Sequence, residues 1–99
     1  MNMNNLMAQA QRMQKEIEKK QKEIYSTEYV GNSELVEVVL TGDKKLKQVK
    51  FKNMDNFDKE DLDILEDMIK IAFNDALSKI EKDIESKLGA YGRQLGGLI

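Results

Sequence analysis

The chain has 99 residues, 34% of them charged and 40% hydrophobic, with a net charge of −2 and a pI near 5.2. It contains no histidine, cysteine, proline or tryptophan. That composition excludes a disulfide framework, a thiolate metal site and histidine acid–base chemistry.

One domain over 1–99 is expected, large enough for a modest core without covalent staples. No apolar run reaches the length of a membrane span. The N-terminus has no basic region followed by an apolar core, so no signal peptide is read and the expected location is the cytoplasm. Charge is unevenly spread. Residues 1–52 hold ten basic and seven acidic side chains, a net of +3. Residues 53–99 hold six and eleven, a net of −5.

The first predicted element is a helix from about Asn4 to Ile24. Met3, Leu6, Ala10, Met13, Ile17 and Ile24 recur at steps of three and four, with Lys20 at the skipped position. That is the seam of a helix packed on another helix. Arg12, Lys15, Lys19 and Lys22 fall on the opposite ridge, over about 15 Å of helix. Such a strip matches a run of phosphates. The plainer alternative is a solvated face laced with the pairs Glu16–Lys20 and Glu18–Lys22.

After Ile24 the period changes to two. Ser26, Thr27, Tyr29 and Val30 have strand character, and Gly31-Asn32-Ser33 signals a turn. Leu35–Thr41 is a second strand, with Val36, Val38 and Leu40 on one face. Gly42-Asp43 opens the next turn, and Leu46–Lys52 is a third strand with Val49 and Phe51 on one face and Gln48 and Lys50 on the other. Tight turns predict an antiparallel meander. Simple alternation scatters Lys44, Lys45, Lys47, Lys50 and Lys52 to both sides of this strand, so they cannot all face one ligand. The cluster reads either as a phosphate-facing surface or as lysines that guard a sheet edge against aggregation, and the scatter favours the second.

Asp58, with Asp61 three residues on, marks the start of a helix that runs from Lys59 to Leu88. Leu62, Ile64, Leu65, Met68, Ile69, Ile71, Ala72, Phe73, Ala76 and Leu77 cover more than half its circumference. Ile80, Ile84 and Leu88 then narrow to a stripe. A surface so wide must be buried on two sides, one by the sheet and the other by the N-terminal helix or a second subunit, and the overhanging stripe points to a homodimer. Both helices are too long for the sheet and must overhang it. From Gly89 to Ile99 the glycines predict a flexible tail. No catalytic constellation is visible: Ser26, Ser33, Ser78 and Ser86 have no histidine to activate them. No cofactor, metal or small-molecule substrate is expected.

Several stretches resemble the YbaB/EbfC family of bacterial nucleoid-associated proteins. Asn5-Leu6-Met7-Ala8-Gln9-Ala10-Gln11-Arg12-Met13-Gln14 is similar to that family's opening helix. Leu65-Glu66-Asp67-Met68-Ile69 and Ala72-Phe73-Asn74-Asp75-Ala76 resemble its last helix, and Leu35-Val36-Glu37-Val38 with Thr41-Gly42 resembles its sheet. The loop Gly31-Asn32-Ser33-Glu34 is less glycine-rich than the family's, and Asn53-Met54-Asp55 stands where it commonly has proline.

The resemblance implies an α+β protomer of helix, three strands and helix, and a tweezer-like homodimer. It also implies nucleoid-associated DNA binding near the helical arms, without catalysis, in chromosome organisation or gene regulation. On this reading Arg12, Lys15, Lys19 and Lys22 contact phosphates of duplex DNA. Lys87 and Arg93 assist, and Asn5, Gln9 and Gln11 reach bases or sugars. The rival expectation is a dimeric module that clamps a partner protein.

Overall fold

The computed structural model describes residues 2–95, with side chains through Gly92. Helix α1 spans Met3–Ser26, strands β1, β2 and β3 span Glu28–Asn32, Val36–Thr41 and Leu46–Phe51, and helix α2 spans Leu62–Leu88. The strands form an antiparallel sheet in the order β1-β2-β3, as the tight turns predicted. The α+β architecture is therefore the expected one.

Helix α1 begins one residue before the predicted start because the Asn2 side chain accepts the Asn4 N–H at 3.1 Å. This satisfies one of the free donors of the first turn. The helix also takes Ser26 from the predicted strand. The Ser26 hydroxyl donates back to the Lys22 carbonyl at 2.9 Å, and Thr27 becomes the C-cap. At the other end of the chain, Lys59–Asp61 forms a 3-10 turn that leads into α2. The Asp61 carboxylate accepts the Asp58 N–H there at 3.1 Å, so the paired aspartates hold the helix start as expected. Where a flexible tail was expected, Gly89–Leu95 is a further 3-10 segment. Residues 96–99 of that tail lie outside the described residues.

The core lies between α2 and one face of the sheet. Val36, Val38 and Leu40 of β2 and Tyr29 of β1 meet Ala72, Ala76 and Ile80 of α2. Ile17 and Ile24 of α1 join Ile84 and Leu88 at its far end. Two glycines set the spacing. A Cβ on Gly31 would lie 2.0 Å from the Ala72 carbonyl oxygen, and one on Gly42 would lie 1.8 Å from the Ile24 carbonyl oxygen. The backbones thus touch where α2 crosses β1 and where α1 ends against the β2–β3 turn.

The molecule is long and thin, 70 × 19 × 16 Å, with a radius of gyration of 19.2 Å. A compact domain of this size would have a radius near 13 Å. The excess comes from the helices: α1 has 24 residues and α2 has 27. At the helical rise these span about 36 and 40 Å, against about 20 Å for the strands.

Candidate nucleic-acid interface

Arg12, Lys15, Lys19 and Lys22 are all exposed on one ridge of α1. Their position follows from the opposite side of the helix, where Ile17 and Ile24 are buried and Met13 is half-buried. The intrahelical pairs Glu16–Lys20 and Glu18–Lys22 do not form. Glu16 instead accepts the Tyr91 hydroxyl at 3.0 Å. Lys20 lies over the same ring, its Nζ 5.2 Å from the centroid. Lys20 thereby fills its place in the apolar seam by covering an aromatic face. Among the described residues none of the four ridge cations has an ion-pair partner.

The Tyr91 contacts fix where the arm begins. Tyr91 follows the end of α2 and touches α1 at Glu16 and Lys20, so the helices run antiparallel and the N-terminal half of α1 projects past α2. Asn5, Gln9 and Gln11 are exposed on this projecting half. So are Met3, Leu6 and Met7, at 75, 43 and 58%.

Lys87 is placed differently. It is bonded to Asp83 at 3.1 Å, and Asp83 accepts the Tyr29 hydroxyl at 2.5 Å. This chain ties α2 to β1. Burial is the first cause that pushes the Tyr29 pKa up to about 12, and the Asp83 carboxylate adds to it. The same bond, with Lys87 behind it, holds the Asp83 pKa below the usual carboxylate range. The side chain of Arg93 falls outside the described ones.

The β3 lysines depart from simple alternation. Val39 pairs with Gln48 but Leu40 pairs with Leu46, so Lys47 is an extra residue in a bulge. On β1, Tyr29 and Gly31 are buried beneath α2 while Glu28, Val30 and Asn32 face outward. Lys47 forms an ion pair with Glu28, and the Lys52 ammonium donates to the Asn32 side chain at 3.3 Å. Lys50 stands opposite Glu37, on the outward side of β2. Lys47, Lys50 and Lys52 therefore share the outer face of the sheet. The expected scatter to both sides is corrected, because a bulge inserts one residue and cancels one alternation.

The two sheet edges also differ. Asp75 of α2 accepts the Asn32 N–H at 3.0 Å, and Lys79 donates to the Val30 carbonyl at 2.6 Å. The Asn32 N–H is the first cause that lowers the Asp75 pKa. The edge of β1 is thereby capped. Strand β3 is exposed along its whole length. Leu46, Val49 and Phe51 share the inner face with Leu40, Val38 and Val36, yet they stay 53, 42 and 48% exposed.

A cleft of about 320 Å³ is lined in part by the apolar side chains of Leu35, Phe57, Ile64 and Met68. Its lining includes Glu34 and Asp61, the wrong sign for phosphate. Among the described residues no group of three or more Asp or Glu is placed to hold a metal ion. Among them, too, no helix is long and apolar enough to cross a membrane.

The chain is 44% identical over 97 residues to a nucleoid-associated protein of Streptococcus suis. It is 46% identical over 97 residues to one of Lactococcus lactis subsp. cremoris, and 44% identical over 97 residues to one of Streptococcus pneumoniae. Each alignment covers 96% of this chain and 97% of the relative. The family model for the YbaB/EbfC DNA-binding family matches residues 1–95. By that match and by these identities over nearly its whole length, the chain belongs to the YbaB/EbfC DNA-binding family.

Proposed function

We propose that this protein is a nucleoid-associated homodimer that holds duplex DNA through its projecting helical arms. The observation that carries the reading is the ridge of Arg12, Lys15, Lys19 and Lys22, exposed and without ion-pair partners among the described residues. Four cations along about 15 Å of helix match the spacing of a phosphate track. The overall charge of −2 does not cancel such a strip, because screening limits distant charges to about 10 Å. Contacts of this kind position the protein on DNA and carry little sequence information. Asn5, Gln9 and Gln11 supply the hydrogen-bonding groups that could reach bases or sugars. Lys87 is bound to Asp83, so any help from it requires breaking that pair.

The dimer is supported by apolar surface that one protomer leaves uncovered. Leu46, Val49 and Phe51 on the inner face of β3, and Leu62, Ile64 and Ile71 on α2, are all more than 40% exposed. A second copy docked on the helix side of the sheet would bury them and bring two arms together.

A salt titration on a mixed pool of duplex DNA tests the reading. If each arm neutralises about three phosphates, the slope of log affinity against log salt is about −5 for the dimer. No binding at low salt, or a flat response, would overturn it.

A dimeric clamp for a partner protein is the second reading, and exposed Met3, Leu6 and Met7 at the arm tip favour it. The basic ridge on the same arm favours DNA. Loss of DNA binding with retained partner capture would decide for the clamp.

A further inference from the structure

The outer face of the sheet has a chemistry that the arms do not explain. Lys47, Lys50 and Lys52 lie on it, and the β2–β3 turn at its rim adds Lys44 and Lys45. Five lysines stand there against three carboxylates, those of Glu28, Glu37 and Asp43. This is a locally positive surface in a chain of net charge −2.

Edge protection does not account for it. A lysine that only guards an edge strand needs no partner on another strand. Lys47 and Lys52 instead cross over β2 to reach Glu28 and Asn32 on β1. Their ammonium groups lie over the outer face. Asn32 is neutral, so the charge of Lys52 is undiminished. Lys50 and Lys44 have no ion-pair partner among the described residues.

The face also points away from the proposed dimer contact. The uncovered apolar side chains of β3 lie on the inner side, so a second copy covers that side and leaves the outer one to solvent. From Lys47 to Lys52 the strand covers about 17 Å, room for several phosphates. No aromatic side chain faces outward there, since Tyr29 and Phe51 are on the inner face. The surface therefore suits the backbone of a duplex and not the stacked bases of a single strand.

We propose that this face is a second seat for duplex DNA, separate from the arms, so that one dimer joins two duplexes. The inference rests on the arm-based DNA reading and adds bridging to it. The test is a capture assay. One duplex is fixed to beads, the protein is added, and retention of a second, labelled duplex is measured at one salt concentration. The variant carries Lys44→Asn, Lys50→Gln and Lys52→Gln, which remove charge without changing the strand, and circular dichroism checks folding. The expected result is capture by the wild type and a loss of about tenfold in the variant, with first-duplex affinity changed less than about threefold.

Wild-type binding to the first duplex without capture of the second would overturn bridging and leave the arm reading intact. Equal capture by the variant would assign bridging to the arms and overturn the sheet as a seat. Failure to bind even the first duplex would overturn both.

Discussion

Gly31 of β1 lies so close to Ala72 of α2 that a methyl group on its Cα would sit 2.0 Å from the Ala72 carbonyl oxygen. The same methyl would fall 2.5 Å from the Ala76 nitrogen, so the obstacle is backbone and cannot rotate away. Gly31→Ala is predicted to cost at least about 3 kcal/mol, by forcing α2 off the sheet. Urea unfolding at fixed protein concentration measures it. A loss below about 1 kcal/mol would mean that the helix shifts without penalty.

The Tyr29–Asp83–Lys87 chain predicts a pH window. The Tyr29 pKa is raised to about 12, so its share of stability is full below the unfolded value near 10 and is lost as pH rises toward 12. Asp83 and Asp75 have lowered values, so theirs is present above the unfolded value near 3.9 and lost as pH falls below it. Melting temperature should be flat between about pH 5 and 9 and fall on both sides. Tyr29→Phe should lower the stability on this plateau by about 1–2 kcal/mol and remove most of the alkaline fall. An unchanged alkaline limb in that variant would place its cause elsewhere.

Self-association should depend on the inner face of β3. Phe51 and Ile71 are 48 and 52% exposed in the protomer, so a charge there does little to the protomer alone. Phe51→Glu with Ile71→Glu should shift sedimentation at micromolar concentration from twice 11.4 kDa to 11.4 kDa. Burying such charges unpaired costs about 3 kcal/mol or more per site. A double variant that stays dimeric and folded would move the contact to another surface.

The arms and the sheet should separate in single-duplex affinity. Arg12→Glu with Lys19→Glu is expected to lose at least about 2 kcal/mol, since each change deletes a phosphate contact and adds repulsion. Lys47→Glu with Lys50→Glu should lose much less at the same salt. A reversed order, with both variants folded, would make the sheet the primary seat.

What could be read from the chain follows the range of the interactions. Both helices and all three strands were visible because their apolar periods are local, and Ile17, Ile24, Val36, Val38, Leu40 and Ile80 sit where those periods put them. The bulge at Lys47 was not visible, since it belongs to the pairing of two strands and not to either alone. The Tyr29–Asp83 bond joins residues 54 apart, and the Tyr91–Glu16 bond joins residues 75 apart. No local pattern encodes either of them. The basic ridge on α1 was legible as a ridge. The loss of the Glu16–Lys20 pair was not, because both residues are engaged by Tyr91.

The projecting half of α1 has a consequence for when its order is acquired. Beyond Met13 toward the N-terminus no side chain is buried among the described residues, so those turns rest on their own backbone bonds and the Asn2 cap. Short unsupported helix is marginal in water, although growth from an anchored turn avoids the nucleation penalty. Amide exchange along α1 should therefore form a ramp, slow near Ile24 and quickening toward Asn4. An arm that melts and reforms at its tip can match the curvature of what it grips, and its gain in helix on gripping becomes part of the binding heat.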